Sequence, residues 1–279
     1  MSLFQGEMRK MKGDFHIHTT YSDGFLTVDE VLNTASKSVD YLAITDHDSI
    51  EGALEAYTKI NNYNLQLILG VELSTYNHNE SVHILGYFKS VKDMEKISDF
   101  LQEQKRLRAE RCLEIAKRLK IYYGLELDTT RLMKRSCVTR GSIAHEMIRQ
   151  GMPYTIQEIF AKFIGDDCKA YVPSSKLQTI DGIKLLKDAG AIIVLAHPVR
   201  FKINNPQEII DMGVDGIEAR YSINTKDDTE KYLALAKKNG LFVTAGSDFH
   251  YFNDSEHGDI GCVYLENDEL KEFVERIRG

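Results

Sequence analysis

Short β-rich runs alternate with helical segments along most of this chain, and that alternation restricts the fold more than any other feature. The runs are "DFHIHT", "YLAITDHD", "LQLILGVEL", "SVHILGYF", "AIIVLAHP", "GIEARYS", "LFVTAGSDFH" and "GCVYL". Strands joined through helical crossovers pair in parallel, so the expected class is α/β. The helices carry their own punctuation. Thr27 and Glu30 predict a capping box before "VLNTASKS", and Gly190 and Gly240 stand where a C-terminal glycine closes "IDGIKLLKDA" and "EKYLALAKKN". At 279 residues, 43% hydrophobic and 28% charged, the chain can bury a large core.

The alternation breaks between residues 96 and 170. There the chain turns helical and charged through "KISDFLQEQKRLRAERCLEIAKRLK", "GSIAHEMIRQ" and "TIQEIFAKFIG", the last with a capping box at Thr155 and Glu158. Strand rhythm resumes after "AYVP". The expected organisation is a barrel-type unit from residues 1–95 and 171–279, with residues 96–170 as a small helical insert lying over one face.

Polar residues gather where strands end. His16 and His18 close the first run, Asp46 and His47 the second, Glu72 the third, His197 the fifth, and Asp248 and His250 the seventh; His83 lies in the fourth. Parallel α/β folds build their sites at these C-terminal strand ends. Imidazoles and carboxylates without thiolates suit divalent Mn, Fe or Zn, and histidines two apart in a strand point to one side. A lone histidine at a strand end is ordinarily a core or capping residue. Six of the nine histidines share this placement, and that coincidence is what a metal site explains.

The runs "DFHIHTTYSDG", "ITDHDSIEG", "GVELST", "VHILGY", "LAHPVRF" and "AGSDFHY" resemble, in order, the motifs of the PHP family of metal-dependent phosphoesterases. Within it, "RLRAERCLEIAKRL", "TRGSIAHEMIRQG", "IFAKFIG" and "AYVPS" are similar to the subgroup acting on nucleoside 3′,5′-bisphosphates, AMP or the 5′ ends of short oligoribonucleotides. The resemblance implies a distorted (β/α)7, TIM-like barrel with a helical cap. It also implies two to three divalent ions, manganese first, with iron or zinc as alternatives. One ion would take His16, His18, Glu72 and Asp248. A second would take His83 and His197 and share Glu72, and a third Asp23, His47 and His250. Asp14 and Asp46 are expected to orient ligating imidazoles.

Three dications against the carboxylates of Asp23, Glu72 and Asp248 leave a local surplus of about +3, which attracts phosphate. The expected chemistry is direct attack by a metal-activated hydroxide, with no phosphoenzyme. Asp248 and His250 carry catalysis together with Arg140 and Arg200. Arg140 precedes "GSIAHEMI" at a predicted helix N-terminus, where free N–H groups favour an anion. The family's Arg-Pro-His reads Arg-Gly-Ser here. Arg200, in "HPVRF" where relatives read "HPGRY", is the second phosphate candidate. Arg108 and Arg111, three apart on one helix face, either reach a second phosphate or form a solvated charged face. Tyr171 is read as packing the hinge. His257 is a candidate proton donor whose plainer reading is a surface-loop histidine, and His78 and His145 read as structural.

The competing functions are a histidinol phosphate or other small-molecule phosphatase, a non-catalytic metal-binding module, and a single structural zinc site. Nine candidate ligands are too many for the last. A formal charge of −7 argues against duplex DNA and leaves a small phosphorylated substrate, a nucleotide or short single-stranded RNA. Four widely spaced cysteines (Cys112, Cys137, Cys168, Cys262), no membrane-length apolar run and no signal-peptide pattern in "MSLFQGEMRKMKG" predict a cytoplasmic protein without a membrane partner.

Overall fold

The structure is a computed structural model and describes residues 10–135, 138–173, 177–254 and 256–279. Cys137, Ser174 of "AYVPS" and most of the N-terminal stretch lie outside the described residues. Eight strands form one sheet: β1 (Lys12–Asp14), β2 (Tyr41–Ile44), β3 (Gln66–Asn77), β4 (Glu80–Phe88), β5 (Ile192–Leu195), β6 (Gly216–Tyr221), β7 (Phe242–Gly246) and β8 (Leu265–Glu266). They stand in the order β7-β6-β5-β4-β3-β2-β1-β8. The sheet curls until β7 meets the continuation of β1. Phe15 N donates to Ala245 O at 3.0 Å, Asp248 N to His16 O at 2.8 Å and His18 N to Phe249 O at 2.9 Å, so a nearly closed barrel results.

Neighbours pair in parallel except around β4 and β8. β4 runs antiparallel to both β3 and β5, and β8 antiparallel to β1. The expectation of parallel strands throughout is corrected here. β3 turns directly into β4 through His78 and Asn79, both at positive φ (48° and 63°), a two-residue hairpin that needs no crossover helix. Glu72 consequently sits in the middle of β3 and not at its end.

Alternation along the strands sorts two apolar layers. Leu69, Val71, Leu73, Ile84, Ile193, Leu195, Ile217 and Ala219 face the surrounding helices, among them Thr179–Ala189 and Lys226–Asn239. The opposite parity points inward: Ala43, Ile68, Leu85, Tyr87 and Val194 pack with Phe15 and Phe242 around the C-terminal helix Asn267–Arg278. Phe273 of that helix lies 4.5 Å from the Phe15 ring centroid and 5.1 Å from that of Tyr87. Continuing up the same inward rows, Ile68 leads to Glu72 and Leu85 leads to His83. Apolar filling at one end thus fixes which polar side chains line the other.

The predicted caps form. Thr27 and Thr155 make capping boxes with Glu30 and Glu158, and Gly190 and Gly240 end their helices at φ +89° and +64°. The long helix Ser98–Tyr123 begins in the barrel's outer layer through Leu101. From Cys112 onward it joins a separate core with Ile143, Met147, Ile159 and Ile164, contributed by the helices Arg140–Arg149 and Ile156–Ile159 and the turn after them. No helix among the described residues is long and apolar enough to cross a membrane.

Candidate active site

Glu72 is the centre of the polar end of the barrel. Its Oε2 lies 3.2 Å from His16 Nε2, 3.2 Å from His18 Nε2 and 2.8 Å from His47 Nδ1. Its Oε1 lies 2.9 Å from His83 Nδ1 and 3.0 Å from His197 Nε2. Asp248 Oδ1 closes the first group, 3.3 Å from His16 Nε2 and 3.0 Å from His18 Nε2. Asp23 Oδ1 approaches His250 Nε2 at 3.2 Å, and Asp23 Oδ2 approaches His47 Nε2 at 3.8 Å. The three sets named in the sequence are therefore brought together, with His18 added to the Asp23, His47 and His250 set and His47 standing beside both Glu72 and His83.

Apart from the bond between His197 Nε2 and Glu72 Oε1, these contacts are close without being hydrogen bonds. His16 Nε2, His18 Nε2, His47 Nδ1, His83 Nδ1, Glu72 Oε2, Asp23 Oδ1 and Asp248 Oδ1 are buried and make none. Orphaned buried polar atoms are costly unless a cation takes their lone pairs. Ligands held about 2.1 Å from one ion stand about 3.0–3.4 Å apart, the spacing found among His16, His18, Glu72 and Asp248. The residues fit divalent cations. Burial pushes the carboxyls of Glu72, Asp248 and Asp23 up, but the surrounding imidazoles outweigh it and hold all three well below the usual carboxylate range.

Asp14 and Asp46 reach the candidate ligating histidines only indirectly, Asp14 through His16 N (3.4 Å) and Asp46 through Ser22. Asp14 accepts from the backbone of Ser247 (3.0 Å) and Gly261 (2.9 Å). Asp46 accepts from Thr19 N (2.7 Å), Thr19 Oγ1 (2.7 Å) and Ser22 Oγ (2.6 Å). Neither touches an imidazole directly; Ser22 stands between Asp46 and His18 Nδ1, 3.3 Å from the latter. The carboxylate that does hold a ring is Glu218, whose Oε1 meets His16 Nδ1 at 3.0 Å. Sequence reasoning passed over it. The available signal was a glutamate of inward parity in "GIEARYS". Tyr221 was also missed: its hydroxyl donates to Asp248 Oδ2 at 2.7 Å and accepts from Arg200 Nε at 2.7 Å.

His257 is not the surface-loop residue of the plainer reading. Its ring stacks on His250 at 4.1 Å, Nδ1 is held by Asp254 Oδ2 at 2.6 Å, and Nε2 lies 3.6 Å from Asp248 Oδ2. His78 is the exposed hairpin residue paired with Glu208, while His145 lines the cavity over the site. That cavity, of about 440 Å³, also includes Phe25, Arg200, Tyr251 and His257. A second cavity of about 330 Å³ shares Asp23, His47 and His83 with it and is walled by Arg108, Arg111, Arg140, Tyr76 and Tyr171.

The arginines are anchored as well as clustered. Arg108 is bonded to Asp48, Arg111 Nε donates to Val172 O at 2.8 Å, and Arg140 Nη1 bonds Asp166 Oδ1 at 2.5 Å while its guanidinium lies 5.2 Å from the Tyr171 ring. Burial pushes the Arg111 guanidinium down, and Arg140 and Arg108 nearby push the same way. The helix N-terminus at Arg140 is partly capped, because Thr139 and Ser142 take each other's backbone N–H.

Comparison with known proteins agrees with this geometry. The PHP domain profile matches residues 14–154. A 5′-3′ exoribonuclease of Haemophilus influenzae is 32% identical over 86% of this chain and 90% of its own length. A 3′,5′-nucleoside bisphosphate phosphatase of Chromobacterium violaceum is 27% identical over 85% of this chain and 86% of its own. The crystal structure of a metal-dependent phosphoesterase from Bifidobacterium adolescentis superposes with a TM-score of 0.79 and 27% identity, covering 95% of this chain and 96% of that one.

Proposed function

This chain belongs to the PHP domain family and is a metal-dependent phosphoesterase, and from that premise we propose that it hydrolyses phosphoester bonds of nucleotides that carry a second phosphate. Nucleoside 3′,5′-bisphosphates and short 5′-phosphorylated oligoribonucleotides both meet that description, and the relatives are named a 5′-3′ exoribonuclease and a 3′,5′-nucleoside bisphosphate phosphatase. The observation that carries the reading is the cavity walled by Arg108, Arg111 and Arg140, which shares Asp23, His47 and His83 with the ligand clusters. Guanidinium groups are suited to a phosphate beside the one being cleaved.

We assign His16, His18, Asp23, His47, Glu72, His83, His197, Asp248 and His250 to two or three divalent cations, manganese first. When bound, such ions polarise a phosphoryl oxygen and acidify a water. The chain's own residues orient the reaction. Arg200, held by the Tyr221 hydroxyl and by Glu256 O at 2.7 Å, faces the larger cavity as a phosphate ligand. His257, fixed by Asp254, turns Nε2 toward the same space as a donor for the leaving oxygen. Arg140 lies against Tyr171 and Phe160, and this aromatic backing fixes its guanidinium in the smaller cavity. The domain division proposed from the sequence is supported by the separate core from Cys112 to Ala170. A cytoplasmic setting accords with unpaired Cys112, Cys168 and Cys262.

The test is phosphate release by metal-free protein resupplied with Mn²⁺ from adenosine 3′,5′-bisphosphate, 5′-AMP and a 5′-phosphorylated trinucleotide. Turnover of the first or third well above 5′-AMP is expected. Equal turnover of all three would remove the second-phosphate requirement.

A further inference from the structure

Glu218 is wholly buried and stands at an irregularity in β6, where pairing with β7 shifts register between Glu218 and Arg220. Ile217 and Ala219 belong to the outer layer, so the side chain between them points into the barrel. Its two oxygens serve two different residues. Oε1 meets His16 Nδ1 at 3.0 Å, and Oε2 accepts from His197 N at 2.8 Å. His16 and His197 belong to different ligand groups, the first with His18 and Asp248 and the second with His83, and those groups share only Glu72.

We propose that Glu218 is a positioning residue that makes cation binding by the His16, His18, Asp248 group and by the His83, His197 group interdependent. The proposal rests on the reading of those residues as metal ligands. A carboxylate offers only acceptors, so its bond to His16 Nδ1 fixes the proton there and leaves the Nε2 lone pair for the space shared with Glu72 and Asp248. At His197 it clamps a backbone held at φ +24°, a conformation that side-chain-bearing residues rarely adopt, and so keeps that imidazole at Glu72 Oε1. One rigid side chain sets both rings, and withdrawing it releases both.

The neighbourhood is built around this pair. A Cβ on Gly246 would lie 2.2 Å from Glu218 Oε1 and 2.3 Å from His16 Cβ, so the end of β7 tolerates only glycine while Glu218 and His16 stay together. His250 is held through Nδ1 by Asp248 O at 2.7 Å, and no bond joins Asp23, His47 or His250 to Glu218, so Glu218 reaches the third group only through residues shared with the first.

The test compares Mn²⁺ binding by the metal-free full chain and by its Glu218→Gln, Glu218→Ala, Gly246→Ala and His16→Ala variants. It uses competition with a chelating dye and elemental analysis of bound ions, with urea unfolding of each metal-free protein alongside. Gln can accept from only one of the two donors and must turn an amide against the other. The expected result is a loss of about 10–100-fold in affinity for two of the bound ions together in Glu218→Gln, with metal-free stability close to wild type. Gly246→Ala, which crowds both the carboxylate and His16, should also lower affinity, but Glu218→Gln is the variant that isolates the carboxylate. Wild-type affinity and stoichiometry in Glu218→Gln would overturn the proposal, as would a change confined to metal-free stability. If Glu218→Ala does not fold, Glu218→Gln decides. Failure of His16→Ala to alter binding, or no Mn²⁺ uptake by wild type, would instead refute the ligand assignment beneath it.

Discussion

Arg108 is bonded to Asp48, the residue that follows His47, so the long helix Ser98–Tyr123 is fastened to the loop carrying a histidine of the candidate site. Asp48 also accepts from Ser74 N at 2.8 Å and holds its own backbone at φ +49°. Removing Arg108 strands a carboxylate that is only 6% exposed. Arg108→Ala should cost about 3 kcal/mol, and Arg108→Ala combined with Asp48→Ala much less than the sum of the singles. Urea unfolding of the four proteins measures the coupling. Additive losses would mean that the contact contributes nothing.

Asp248 joins the first ligand group through Oδ1 and the Tyr221 hydroxyl through Oδ2. Asp248→Ala should lower turnover by about three orders of magnitude or more, the several kcal/mol that a positioned cation supplies. The circular dichroism spectrum should remain that of the wild type. Chelation of wild type should do the same and added Mn²⁺ should reverse it, both followed as phosphate release.

Arg111 tests the smaller cavity. Its Nε is taken by Val172 O, which leaves its terminal nitrogens for an incoming anion. Arg111→Ala should raise KM about 10–100-fold for a substrate with a second phosphate, the loss of one charge-assisted hydrogen bond of about 1.5–3 kcal/mol. KM for a monophosphate should change little. A uniform fall in kcat on both substrates would argue for a structural role instead.

Glu80 ties the rim segment after Arg200 to the start of β4. Its carboxylate accepts from the backbone of Lys202 (2.6 Å), Ile203 (3.1 Å) and Asn204 (2.7 Å), and from Asn204 Nδ2 (2.8 Å). Partial burial raises its pKa, but these donors outweigh that and hold it below the usual glutamate range. A depressed folded pKa contributes stability above the unfolded value and loses it as pH falls through the folded one. Wild type should therefore lose more stability than Glu80→Gln as pH drops below about 4.5. Parallel acid dependence of the two proteins would remove Glu80 from the account.

Most of the candidate ligands were legible because they lie just past a strand end and repeat one chemical type, although Glu72 and His83 stand within β3 and β4. His16, His18, His197, Asp248 and His250 needed no knowledge of pairing. The residues that support them were hidden by pairing itself. Glu218 reads as the solvent face of an alternating strand until closure of the sheet buries both faces. Asp48 meets Arg108 across 60 positions. His257 looks like loop punctuation, and only its stacking on His250 brings it to the site. The β3–β4 hairpin escaped because "YNHNES" contains no glycine; His78 and Asn79 take the left-handed conformations there. The motif spacing therefore named the side chains that meet at the polar end of the barrel, while strand parity and long-range contacts determine how they are held.

The barrel's seam also sets an order of assembly. Along one edge, residues 15–18 find their backbone partners in residues 245–249, more than two hundred positions later. During synthesis from the N-terminus, His16 and His18 emerge long before that partner segment and then wait with one edge unpaired until residues 245–249 are made. Asp248, whose Oδ1 stands 3.3 Å from His16 Nε2 and 3.0 Å from His18 Nε2, arrives with the segment that closes the sheet. Completion of the barrel and maturation of its metal-binding end are thus one event, and a chain released before Gly246 carries its most polar motif without the structure that gives it a use.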